Sequence, residues 1–314
     1  MENKQNAFTF LNELVEEIEK KDKLHSKKIH GNIAFIKEKY PVQFEELLGL
    51  VQLYFNNLDL TSERIASDYL KMINDMRAEG LYFYRHGKYR CDNQKIADEY
   101  VYSKPEVMTY YMNALLVSQI MWKHHFNIFM YFQEHLKTLF ANQKQLNILD
   151  IGPGHGFFSF LIKKEFPDYE KIDIVDISET SLQMTKNIIG FDGDKINYFK
   201  KDIFDYDDSK KYDFIVLGEV LEHLDEPEKI LRKLSNLLNP DGLLWLTTPT
   251  NSPALDHVYL FKTKEEVLTL VEQSGLNTIA SCNYFAEDMD EATALKNKIT
   301  NLVVHFQPQT VSQT

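Results

Sequence analysis

The chain has 314 residues, 44% of them apolar and 13% aromatic, enough to bury a sizeable core in one large domain or two ordinary ones. Its formal net charge is −12, and residues 1–100 carry 15 basic and 17 acidic side chains, so no part supplies the basic surface that phosphate backbones or anionic membranes require. Two distant cysteines, Cys91 and Cys282, exclude a disulfide framework and a cysteine zinc site. The first residues, MENKQNAFTF, have no basic start followed by an apolar run, and no stretch approaches the ~18 apolar residues of a membrane span, so a cytoplasmic protein is expected.

Residues 1–140 read as a helical domain. Asn6–Lys20 and Pro41–Asn57 place apolar residues at helical spacing, and Thr61 with Ser62 can cap a helix running towards Gly80. The aromatic run LYFYRHGKYRC (Leu81–Cys91), with His86-Gly87 at its centre, reads as a β-hairpin. Helices followed by such a hairpin resemble the winged-helix dimerisation domain of many small-molecule O-methyltransferases, which would imply a homodimer. Lys104–Phe140 reads as two long helices, layered on the next domain or forming a lid over a substrate site.

From Asn147 the rhythm becomes strand, turn, helix. NILDI, KIDIVDI, INYFK, DFIVLGEV and GLLWLTT are short apolar runs separated by helical stretches, and Asn277–Ser281 and Thr300–Phe306 add two more strands. The expected fold for residues 141–314 is α/β, a doubly wound sheet of seven mainly parallel strands with one antiparallel strand near the end. Gln307–Thr314 reads as a frayed tail.

Chemistry concentrates in LDIGPGHGFFSFLI (Leu149–Ile162), a buried strand, a turn with Gly152, Gly154 and Gly156, and a helix. The spacing is G-x-G-x-G, one residue shorter than the dinucleotide fingerprint, and Pro153 and His155 stiffen the turn. Such a loop suits a smaller, zwitterionic ligand better than a pyrophosphate. Asp176 ends the next strand, where an acidic side chain can accept both hydroxyls of a ribose. Asp202-Ile203 follows the third strand, and Glu219-Val220 ends the fourth, beside the point where such sheets bind ligands.

With these motifs, residues 147–283 resemble class I S-adenosylmethionine-dependent methyltransferases, including the segments EVLEHL (Glu219–Leu224) and LLNPDGLLWLTTP (Leu237–Pro249). The resemblance implies S-adenosylmethionine as cofactor. It implies that Asp150 and the loop Gly152, Pro153, Gly154 and Gly156 hold the methionine part. Asp176 with Ile177 would hold the ribose and Asp202 with Ile203 the adenine, with Glu219 and Val220 beside them. It is silent on the methyl acceptor.

His223 and His257 are the candidate acceptor-facing bases, since neutral imidazole can deprotonate a hydroxyl at cellular pH. Glu219, Glu222, His223 and His257 also resemble the metal site of small-RNA 2′-O-methyltransferases, but E-V-x-E-H is common in metal-free relatives and the surface is acidic, so no metal is expected. Tyr102, Tyr110, Tyr111, Gln119, Trp122 and His124 are candidate substrate contacts, although helical spacing prevents all from facing one pocket. The expected function is methyl transfer to an oxygen or nitrogen of a small aromatic or apolar metabolite. Two rivals are a lyase or cyclase on the same fold and a cofactor-sensing regulator with a DNA-binding wing.

Overall fold

A computed structural model describes residues 6–139, 145–190, 192–207 and 209–308. The first part is helical. Helix α1 (Ala7–Lys21) is capped by Asn6, α2 (Lys23–Lys39) by Asp22, and α3 (Pro41–Asn57) starts on a proline whose missing N–H has no helical use there. Helix α4 (Ser62–His86) starts where expected, with Thr61 Oγ1 accepting the Arg64 N–H.

It does not stop at Gly80. The run Leu81–His86 continues the helix to Gly87, whose left-handed φ of +67° closes it, so the expected hairpin and its wing are absent. Local aromatic content suggested strand, but the residues are placed by helical neighbours. Tyr82 and His86 rings lie 4.3 Å apart at i,i+4, and Phe83 packs on Tyr89. No strand occurs among the described residues before Asn147.

A short helix α5 (Gln94–Ala97) and one π-helical turn (Asp98–Tyr102) lead to α6 (Pro105–Met121) and α7 (Lys123–Leu139). The two helices part at Trp122, whose backbone is extended. Asn32 donates to the Met121 carbonyl, and Trp122 Nε1 donates to the Tyr69 hydroxyl at 2.7 Å. Helix α6 is buried nearly all round, Leu116 and Val117 completely, and each such aliphatic side chain contributes about 1.5–3 kcal/mol by burial. Among the described residues no helix is long and apolar enough to cross a membrane.

The second part is a seven-stranded sheet in the order β3-β2-β1-β4-β5-β7-β6. Its strands are β1 (Asn147–Ile151), β2 (Lys171–Asp176), β3 (Ile196–Lys200), β4 (Tyr212–Gly218), β5 (Leu238–Thr250), β6 (Ala280–Phe285) and β7 (Asn301–Pro308). Strands β1 to β5 pair in parallel, while β7 runs antiparallel to both β5 and β6. Residues 277–279 precede the sixth strand rather than belonging to it. Gln307 and Pro308 still belong to β7, and the rest of the expected tail lies outside the described residues.

Side chains alternate across β5. Trp245 joins a cluster that runs through α8 (Phe157–Glu165), α9 (Glu179–Ile189) and the helical part as far as Phe10. Leu244 and Leu246 join the opposite cluster with α10 (Pro227–Leu237) and α11 (Lys264–Gln273). The N-terminal helices therefore share a core with one face of the sheet. The expected boundary at residues 140–141 lies outside the described residues.

Candidate active site

In the register, Ile151 pairs with Val175 and Leu217, so Gly152, Asp176 and Gly218 leave the carboxyl edge side by side. The strand order reverses between β1 and β4, the place where such sheets receive ligands. A cavity of about 520 Å³ opens there, roofed by α2, α4, α6 and α7. Of the expected cofactor residues, Gly152, Pro153, Gly154, Asp176, Ile177, Asp202, Ile203, Glu219 and Val220 line it.

Asp150 and Gly156 do not. The Asp150 carboxylate is buried behind the loop, accepts the Ser159 hydroxyl and is pushed up to about 7 by burial. Gly156, at φ +74°, lets α8 approach α9, because a Cβ would come 2.9 Å from the Thr185 Cα. At Gly152 a Cβ would come 2.6 Å from Val220 Cγ2, so the chain can pass under the β4 end with no side chain.

Asp176 is nearly buried and accepts the Ser178 N–H at 2.7 Å. Burial pushes its carboxyl up to about 7, with that N–H working the other way. Glu219 holds a left-handed φ of 55°, and burial followed by the neighbouring Glu222 raises its carboxyl well above the usual range. Its Oε1 has no hydrogen-bond partner among the described residues. Buried carboxyls at a cationic ligand's position are a fit for a sulfonium and an ammonium group, and bare main chain at Gly152 is a fit for a closely seated amino-acid moiety.

Glu222, His223 and His257 converge on one side of the cavity, with one ligand atom of each within 4.8 Å of the others. Thr248 donates to Glu222 Oε2 at 2.8 Å, leaving Oε1 without a partner among the described residues. His257 Nδ1 lies 2.6 Å from the Ser252 carbonyl and His223 Nδ1 3.0 Å from the Asp256 carbonyl. A carbonyl only accepts, so each Nδ1 carries the hydrogen; His223 makes a further hydrogen bond to the Glu219 main chain, and of the two Nε2 nitrogens that of a neutral His257 is bare. Those nitrogens lie 3.9 and 3.6 Å from Glu222 Oε1. Burial lowers the basicity of His223, but the carboxylates of Asp256 and Glu222 outweigh it and the net direction is up. His257 moves down, through burial and the charge of His223.

The opposite wall comes from the helices. Of the candidate substrate contacts, Gln119, Trp122 and His124 line the cavity, with His125 and His155 beside them. Burial holds His124 down to about 3 and His155 to about 4, so both are neutral donors or acceptors. Tyr110 faces away and donates to Asp75, whereas its neighbour Tyr111 lines the cavity. Tyr102 is in the cavity wall too, but its hydroxyl is engaged with His223 and Asp256. Sequence reasoning missed Asp256, although it stands next to His257 in the segment DHVYLF; nothing local announces a carboxylate whose partners lie 145 and 154 residues away.

A glycine loop, an acidic β2 end and a mainly apolar cavity at the switch point define an enzyme of the Rossmann-like methyltransferase class. The profile of the methyltransferase-domain family matches residues 121–286, more than half of the chain, and the chain belongs to that family, with S-adenosylmethionine as its cofactor. Among curated relatives, malonyl-[acyl-carrier protein] O-methyltransferase 1 of Ilyobacter polytropus is 27% identical over 175 residues, 52% of this chain and 65% of that protein. The mitochondrial ubiquinone biosynthesis O-methyltransferase of Saccharomyces cerevisiae is 30% identical over 120 residues, 37% of this chain and 38% of that protein. The chain thus spans less than two thirds of the length of these curated relatives. Among solved structures, the N-methyltransferase NodS of Bradyrhizobium japonicum bound to S-adenosyl-L-homocysteine aligns with a TM-score of 0.49 and 15% identity, over 69% of this chain and 99% of that one.

Proposed function

We propose that the protein methylates an oxygen of a small, mainly apolar or aromatic metabolite held between the helical roof and the sheet edge. The observation that carries this reading is the position of His257: a buried imidazole with its proton fixed on Nδ1 and Nε2 free, in the same cavity as the cofactor loop. A hydroxyl, mostly protonated at neutral pH, benefits from such a base, which is why oxygen is favoured over nitrogen. The volume is in the range of small-molecule sites, and Ile73, Met108, Leu115 and Phe129 give the roof its apolar character. The two curated relatives named above are O-methyltransferases, which supports the same chemistry.

S-adenosylmethionine, when bound, supplies a methyl group already activated on a sulfonium, so the protein has to align the acceptor, exclude water and receive a proton. Asp176 would accept the ribose hydroxyls, Asp202 and Ile203 would border the adenine, and Gly152–Gly154 with Glu219 would surround the methionine part. The roof helices exclude water, and His257 Nε2 takes the acceptor proton while His223 offsets the Glu222 charge.

One observation favours a second arrangement of the same site. Glu222 Oε1 lies 3.6 Å from His223 Nε2 and 3.9 Å from His257 Nε2, an arrangement that calls for a positive charge beside the carboxylate. A proton on His223 provides it, and a divalent cation held by Glu222, His223 and His257 would also fit. Elemental analysis and turnover in chelator separate the two.

The reaction class is tested by incubating the protein with S-adenosylmethionine, alone and with a panel of phenols and hydroxy acids, and identifying products by mass spectrometry. S-adenosylhomocysteine together with an O-methylated product is expected only when acceptor is present. Methylthioadenosine formed without acceptor would instead establish the lyase reading.

A further inference from the structure

We infer that three tyrosines of the helical half, Tyr89, Tyr102 and Tyr111, are positioning residues for the acceptor-side histidines, acting through the loop that follows β5. The inference rests on the reading of His223 and His257 given above. Both imidazoles take their orientation from that loop. Ser252 holds His257 through its main-chain carbonyl, and Asp256 holds His223 through its carbonyl at 3.0 Å, with its carboxylate 3.5 Å from the same nitrogen. The loop is in turn held by the helical half. The Ser252 N–H donates to the Tyr89 hydroxyl at 2.9 Å. The Asp256 carboxylate is buried and accepts Tyr102 on Oδ2 at 3.1 Å and Tyr111 on Oδ1 at 3.3 Å.

A second feature points the same way. Tyr102 ends the π-helical turn Asp98–Tyr102, closed by the Ser103 N–H on the Asp98 carbonyl at 2.9 Å. Such turns are uncommon and recur at functional sites. Here the Tyr102 hydroxyl meets both Asp256 and His223, the latter at 2.9 Å from Nδ1. Outer partners of this kind fix the tautomer and direction of an imidazole, whether its free nitrogen serves as a base or a ligand. The helical half therefore completes the reacting site as well as roofing it.

Tyr→Phe variants remove only the hydroxyls and keep the ring packing, and cofactor affinity by calorimetry serves as the check that each folds. Each single variant should lower kcat about 3–10-fold, and the triple variant about 10–100-fold, with the dissociation constant for S-adenosylmethionine unchanged. Asp256→Asn should match or exceed Tyr102→Phe. In a His223→Ala background, Tyr102→Phe should have little further effect, because the residue it positions is gone. If His223→Ala and His257→Ala lower turnover while the triple tyrosine variant keeps full kcat, the positioning role is refuted. If the histidine variants themselves keep full turnover, the reading of the site fails first.

Discussion

The two walls of the cavity are built differently. On the sheet side, the residues proposed to hold the cofactor fall within about seventy residues and sit at consecutive strand ends, placed by parallel register and by a loop that at Gly152 and Gly156 has no room for Cβ atoms. On the helical side, the residues come from α2, α4, α6, α7 and the π-turn, and they act through side chains that meet only after the helices have packed. Chemistry carried by main chain at a strand end leaves a short, contiguous trace in sequence. Chemistry carried by side chains from several helices leaves almost none.

The largest expected effect tests whether the histidines on this seam do chemistry. His257→Ala should reduce turnover by about 10²–10⁴-fold while leaving cofactor affinity nearly intact. Steady-state rates with calorimetry would check it, and a loss shared equally by cofactor affinity would put His257 on the wrong wall. The converse variant is Asp176→Ala, which should weaken S-adenosylmethionine binding by about 1.5–3 kcal/mol and leave thermal stability of the free protein unimpaired, because a buried carboxyl raised to about 7 is no source of stability at neutral pH. Unchanged affinity in that variant would mean that the β2 carboxylate does not touch the ribose.

Gly156→Ala separates packing from binding within the glycine loop. Its Cβ would meet α9 main chain and occupy a left-handed backbone, so it should destabilise the fold by about 1–3 kcal/mol in denaturant titration. Thr61→Ala is the remote control. Loss of the α4 cap should cost about 1 kcal/mol of stability and change neither affinity nor rate.

The smallest effect is a pH dependence confined to the cofactor wall. Asp150 and Asp176 are both raised to about 7 in the ligand-free protein, above the ordinary carboxyl value. The folded protein therefore binds protons that the unfolded chain releases, and these two groups withdraw stability as pH rises from about 4 to about 7. A cationic cofactor favours the ionised form of Asp176, which lines the cavity, so the increment in melting temperature given by S-adenosylmethionine should grow over that interval and level off above it. A flat increment would mean that Asp176 does not ionise on binding.

The sheet side of the cavity was legible because Gly152–Gly156, Asp176, Asp202 and Glu219 each stand at the end of an apolar run. The strands themselves could be read from burial on both faces, as in NILDI. Two features were not legible, for different reasons. Leu81–His86 has strand-like composition, yet helical packing decides its conformation, and the chain turns only where Gly87 supplies a left-handed residue. Asp256 and Tyr89 carry no local signal, because their importance lies in partners more than 140 residues away. Gly156 was read as a ligand contact since its motif position is shared with one, whereas its space is taken by Thr185.

The central claim is that the transferable methyl group is presented to the Glu222–His223–His257 cluster across the seam between the two walls. A crystal structure of the complex with S-adenosylhomocysteine tests it most directly. The ribose hydroxyls are expected on Asp176 and the sulfur facing the His223 and His257 imidazoles. A ribose seated away from Asp176, or a sulfur turned away from both imidazoles, would contradict it.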